Sequence, residues 1–85
     1  MNISYSKNFI KQSKKLSPAI KEKLINRIYI FIENPLDVTL RNHALKGKFK
    51  EYRSIDITGD FRALYIQNGN EVIFDYVGSH SQIYG

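Results

Sequence analysis

The stretch Tyr52–Val77, YRSIDITGDFRALYIQNGNEVIFDYV, reads as an antiparallel β-meander. Arg53, Ile55 and Ile57 alternate with Tyr52, Ser54 and Asp56, the period of two that gives a strand two different faces. After Thr58-Gly59, the run Phe61–Ile66 is rich in strand formers. Asn68-Gly69 is the strongest hairpin signal in the chain, because both central residues of a type I′ turn need positive φ and Asn-Gly tolerates it. Val72–Val77 is then the returning strand, and Gly78 is expected to break it.

Toward the N-terminus the period changes. Ile3 and Tyr5 alternate with polar neighbours and predict a short first strand, followed by Ser6 as a helix N-cap. From Lys7 to Leu16, Phe9, Ile10, Ser13 and Leu16 fall at helical spacing, with Lys7, Lys11, Lys14 and Lys15 on the remaining surface. Ser17-Pro18 reads as an N-cap followed by proline at the first helical position, and Ile20, Leu24, Ile28, Phe31 and Ile32 form the stripe of a longer helix ending at Asn34-Pro35. With almost no linker between them, the helices form a hairpin whose stripes face one core. Pro35–Asn42 reads as a connecting loop. The order is strand, helical hairpin, antiparallel meander: an α+β fold with helices on one face of a small sheet, and a single domain over residues 1–85.

Composition narrows the function. A chain of 85 residues, 42% hydrophobic, has one core and room for one site. It contains no Cys, so neither disulfides nor thiolate metal sites supplement that core, and a stabilising partner is expected. No apolar stretch is long enough to span a bilayer, and Met1–Tyr5 lacks the features of a secretory signal, so the cytoplasm is the expected compartment. The formal net charge of +5 favours nucleic acid or an acidic protein as partner. Every Lys and Arg lies at or before Arg62, whereas Ala63–Gly85 carries only Glu71 and Asp75 as charges. The glycines show no phosphate-loop spacing, and no nucleotide cofactor is expected.

His43–Arg53 interleaves cations with aromatics around one histidine, a mixture able to neutralise phosphates and stack bases, though also ordinary for a solvated strand edge. Arg62, if it shares a face with Leu64 and Ile66, requires an anionic partner: Asp60 or Asp56, or a phosphate. The tail supplies His80 and Tyr84. Metal-free RNA cleavage needs a base for the 2′-OH, an acid for the leaving 5′-oxygen and cations for the phosphate, and these residues provide that minimum set. Two histidines with no His-x-x-x-His spacing or carboxylate cluster do not make an ordinary metal site, so no metal is expected.

Three spaced motifs, His43-Ala44-Leu45-Lys46-Gly47 with Tyr52-Arg53, Gly59-Asp60-Phe61-Arg62-Ala63-Leu64-Tyr65, and Gly78-Ser79-His80-Ser81-Gln82-Ile83-Tyr84, strongly resemble the YafQ-like branch of the RelE/ParE toxin superfamily. The resemblance runs from about His43 onward, and the two preceding helices fit the RelE-like architecture. It implies an endoribonuclease that enters the ribosomal A site, cuts mRNA and so inhibits translation, and is held by a cognate antitoxin. By position, His80 resembles the principal catalytic histidine and is a candidate general acid. His43 and Asp60 resemble the assisting histidine and acidic residue. Arg62 matches an arginine that contacts the scissile phosphate, and Tyr84 matches an aromatic that stacks on or orients the base. Lys46, Lys48, Lys50 and Arg53 are implied to hold the RNA backbone.

The sequence also departs from the branch, with Asp56 where a second histidine can stand and Tyr76 where an arginine can precede the tail histidine. The base therefore stays open between His43 and Asp60, with substrate positioning as a third contribution. Two other readings compete: a ParE-like inhibitor of DNA gyrase, which has no need of His43, Arg62, His80 and Tyr84 together, and a nonenzymatic nucleic-acid-binding module.

Overall fold

The computed structural model describes residues 1–85. The chain runs β1 (Asn2–Tyr5), α1 (Lys7–Ser13), α2 (Pro18–Glu33), a 3-10 turn at Val38–Leu40 and β2 (His43–Ala44). A second 3-10 turn at Gly47–Phe49 leads into β3 (Arg53–Asp56), β4 (Phe61–Asn68), β5 (Glu71–Ser79) and α3 (His80–Tyr84). The helix starts follow from their caps. The Ser6 hydroxyl accepts from the Phe9 N–H, and the Ser17 hydroxyl accepts from the Ile20 N–H with Pro18 beginning α2.

One sheet has the order β1-β5-β4-β3-β2. Strands β2 to β5 pair antiparallel in sequence order, as a meander does, but β1 lies parallel to β5, so the sheet is mixed. The helical hairpin is the reason: it carries the chain from β1 across the sheet to the far edge, and the meander then returns to β1.

Two local expectations are corrected. Asn68 pairs with Glu71, so the two-residue loop is Gly69-Asn70 rather than Asn68-Gly69. Gly69 has φ +61 while Asn70 stays at negative φ, the pattern of a type II′ turn, which needs glycine only at its first central position. Second, β5 runs through Gly78, which pairs with Arg62, and ends at Ser79. The glycine makes room instead of breaking the strand: a Cβ there would lie 3.0 Å from Gln82 Oε1 and 3.3 Å from Gln82 Cβ, so any other residue forces the Gln82 side chain to give way where α3 folds back.

Each sheet face has its own core. The helix side buries Phe9, Leu24, Phe31, Leu40, Ile55, Ile57, Tyr65, Val72, Phe74 and Val77. Phe31 sits edge-on to Tyr65 and Phe74, with ring centroids 4.9 and 5.3 Å apart. Ile32, expected in the α2 core stripe, is instead exposed, as are Ile25 and Tyr29 of the same helix. The opposite face carries a smaller cluster of Phe49, Leu64 and Ile83, with Leu45, Tyr52, Tyr76 and Tyr84 packed against it.

A β-bulge links the two faces. Leu64 pairs with Tyr76 but Tyr65 pairs with Phe74, leaving Asp75 unpaired. The extra residue turns Asp75 and Tyr76 to the same side while Phe74 and Val77 both reach the helix core. Asp75 then accepts a 2.6 Å hydrogen bond from the Tyr52 hydroxyl, and its backbone carbonyl accepts from Asn8 and Ser6 of the α1 segment.

Candidate active site

The pleat of β2, β3 and β4 assembles the site on the face away from the helical hairpin. His43 pairs with Ser54, Ser54 with Leu64, and Asp56 with Arg62, which places these side chains in two rows on one surface. His80 enters from α3, whose start is fixed three ways. The Ser79 hydroxyl accepts from the Gln82 N–H, Gln82 Oε1 accepts from the Ser79 N–H, and the His80 N–H donates to the Asp60 carbonyl at 3.0 Å. His43, Arg62, His80 and Tyr84 line one cleft of about 350 Å³ with Arg41, Leu45, Ser54 and Asp56.

Arg62 is held rigidly. Its Nε lies 3.0 Å from Asp56 Oδ1, and its Nη1 donates to the carbonyls of Thr58, Gly59 and Phe61 at 3.0, 3.1 and 3.2 Å. Of the two anionic partners considered from sequence, Asp56 is the one engaged. A guanidinium has five N–H groups, so the two on Nη2 remain for a ligand.

His43 is oriented through its ring nitrogen Nδ1, 2.8 Å from the Arg41 carbonyl. A carbonyl only accepts, so Nδ1 carries the hydrogen; in the neutral ring Nε2 is then the basic nitrogen. The Tyr84 ring lies 4.7 Å from His80 and 5.5 Å, edge-on, from Phe49. This contact anchors Tyr84 against the small aromatic cluster.

The remaining sequence-derived residues occupy different places. Asp60 is exposed and its carboxylate does not line the cleft; it contributes the carbonyl that holds His80. Lys46, Lys48 and Lys50 are exposed around the turn that Phe49 anchors, with Lys48 Nζ 5.2 Å from the Phe49 ring centroid. Arg53 points to the opposite side of the sheet: it pairs with Tyr65 and donates from Nε to Asn42 Oδ1 at 2.8 Å, while Asn42 donates to the Tyr65 hydroxyl at 2.7 Å. Its position alternates with Ser54, and strand geometry separates it from the lysines.

Two lining residues went unmarked in the sequence. Arg41 takes the left-handed conformation, φ +48, after the 3-10 turn that Asp37 caps by accepting from the Thr39 N–H. Hydrogen bonds from the Thr39 side chain and backbone hold the Asp37 carboxyl below its ordinary value. The Asp37-x-Thr39 pair was a legible turn signal, but nothing in a lone arginine announces left-handed backbone. Ser54 is fully buried, and its hydroxyl has no hydrogen-bond partner.

The family model for the bacterial toxin of type II toxin–antitoxin systems, YafQ, matches residues 1–85. The putative toxin YafQ of Haemophilus influenzae is 33% identical over a 92-residue alignment covering 96% of this chain and 90% of the relative. The crystal structure of YafQ from Escherichia coli strain BL21(DE3) superposes with a TM-score of 0.85 at 26% identity, covering 99% of this chain and 98% of that one. YafQ in the E. coli DinJ–YafQ toxin–antitoxin complex gives 0.82 at 26% identity, covering 99% and 97%. The chain therefore belongs to the YafQ family of toxins of type II toxin–antitoxin systems, with the RelE-like α+β fold.

Proposed function

We propose that this toxin is an endoribonuclease that cuts mRNA in the ribosomal A site in the cytoplasm, without a metal or cofactor, and thereby stops translation. The observation that carries the reading is the orientation of His43: its Nδ1 is tied to a carbonyl, so its proton-accepting Nε2 belongs to a cleft that also contains a second histidine and an anchored arginine.

In this mechanism His43 Nε2 takes the proton of a ribose 2′-OH, and the 2′-oxygen forms a bond to the adjacent phosphorus. The P–O5′ bond breaks, and His80 gives its proton to the departing 5′-oxygen, leaving a 2′,3′-cyclic phosphate and a 5′-hydroxyl. The free Nη2 of Arg62 stabilises the charge that builds on the phosphate oxygens. Tyr84 orients a base by stacking, and Lys46, Lys48 and Lys50 hold the backbone. Asp60 serves through its carbonyl, which keeps His80 in place; the competing assignment of its carboxylate as base has less support, because that group lies outside the cleft. A cognate antitoxin restrains the toxin, as DinJ accompanies YafQ in the E. coli complex.

The test is cell-free translation with wild type, His80→Ala and His43→Gln, mapping mRNA 5′ ends by primer extension with and without ribosomes. New ends should require ribosomes and fall by roughly 100- to 10,000-fold in either variant, the range for removing a general acid or base. Absence of new ends with inhibited DNA gyrase would instead establish a gyrase poison.

A further inference from the structure

We propose that Arg41 is a second phosphate-binding residue of the cleft, and that Asp56 pairs a fixed arginine, Arg62, with a free one, Arg41, around the position of the substrate phosphate. This rests on the nuclease reading and extends it to a residue that reading does not require.

Both guanidiniums share Asp56, but on different oxygens: Arg62 Nε is 3.0 Å from Oδ1 and Arg41 Nε is 3.5 Å from Oδ2. Their remaining donors differ sharply. Arg62 has committed Nη1 to three carbonyls and its side chain is 21% exposed; the Arg41 guanidinium has no hydrogen bond or ion pair beyond Asp56 and its side chain is 80% exposed. Arg62 thus keeps two N–H groups for a ligand and Arg41 keeps four. Two arginines and one carboxylate sum to +1, which neutralises a phosphodiester, and the free N–H groups of both guanidiniums remain to bond the oxygens on which a second negative charge develops as the 2′-oxygen attacks.

Two further observations point the same way. Arg41 holds left-handed backbone that glycine or asparagine would adopt more easily, and that conformation directs its carbonyl onto His43 Nδ1. One residue therefore presents a cation through its side chain and fixes the neighbouring imidazole through its backbone. The floor of the same cleft contains the buried, unpartnered Ser54 hydroxyl, a polar group that the folded chain alone leaves unsatisfied.

Because the two roles of Arg41 use different atoms, Arg41→Gln removes the cation and leaves the carbonyl. The probe is a short single-stranded RNA carrying 2′-O-methyl ribose, which has no nucleophile, with binding followed by fluorescence anisotropy across a KCl series. Arg41→Gln should weaken binding roughly 10- to 100-fold and flatten the slope of log K against log salt by about 0.7, one phosphate contact to a single strand. Arg41→Lys should retain the slope and recover only part of the affinity, because it lacks the planar fork. The melting temperature should stay constant, since an exposed ion pair contributes little to stability. Wild-type affinity and slope in Arg41→Gln would overturn the inference, as would a slope lost together with melting temperature and unrestored by lysine, or wild type that shows no salt-dependent binding. Wild type that binds with this slope but cleaves nothing on ribosomes would overturn the nuclease reading and leave the Arg41 assignment standing.

Discussion

Tyr52 shows how much a single side chain depends on partners far away in sequence. Partial burial, then the hydrogen bond to Asp75 and that residue's negative charge, push its phenol well above the ordinary value of 10.0. A raised folded-state value means that the contribution to stability is intact below pH 10.0 and is lost as the pH rises above it, because the unfolded phenol ionises first. Tyr52→Phe should be less stable near neutrality by about 1 kcal/mol. It should also lose the extra alkaline decline, so urea midpoints of the two proteins converge above pH 10. Parallel curves at all pH values would refute this. His43, Arg62 and His80, which share the cleft, stood out as candidates in the sequence because imidazole and guanidinium are few and chemically distinctive in 85 residues. Arg41 was hidden because its place in the cleft follows from a backbone angle that its residue type does not encode.

Among the elements, caps were legible and close approaches were not. Ser6 and Ser17-Pro18 mark the starts of α1 and α2 because their chemistry is local, completed within three residues. The Gly69-Asn70 turn was displaced by one because two turn types satisfy the same glycine-containing sequence, and only the strand register separates them. Gly78 resembled a strand breaker because the crowding that requires it comes from Gln82 across the β5–α3 junction. Gly78→Ala should therefore act on α3 more than on the sheet. The added methyl collides with a Gln82 side chain already committed to the capping box, costing about 1–3 kcal/mol in denaturant titration. Cleavage should fall further than the stability loss alone accounts for, because His80 and Tyr84 move with the helix. A variant with full activity and a lowered melting temperature would show that α3 tolerates the shift.

Across the whole molecule, the sheet divides labour between its faces. The larger core lies under the helices, and the small aromatic cluster on the other side supports the cleft. Phe31→Ala should remove about 3–5 kcal/mol of stability yet leave the folded fraction active at low temperature. Phe49→Ala should cost less in a urea titration but release the lysine-bearing turn and Tyr84, so cleavage falls even where folding is complete. Equal effects of the two variants on both assays would rule out this division. The sequence hinted at it in the alternation of Ser54 and Asp56 with Ile55 and Ile57, whereas Asp75 and Tyr76 break alternation at a bulge no pattern forecasts.

The position of β5 has a consequence for how the toxin comes into being. It is the last strand in the chain, yet it lies second in the sheet, hydrogen-bonded on one side to β4 and on the other to β1, with Asn2 opposite Glu71. During vectorial synthesis, β1 waits with no strand to pair until β5 follows, while the helical hairpin has only β3 and β4 to cover. Closing so long a loop also makes the decisive pairing slow. The cleft, completed by the helix that follows β5, is correspondingly the last thing to form. A chain cut short before Glu71 lacks β5 and α3, and with them the only partner of β1 and the His80 and Tyr84 side chains of the cleft.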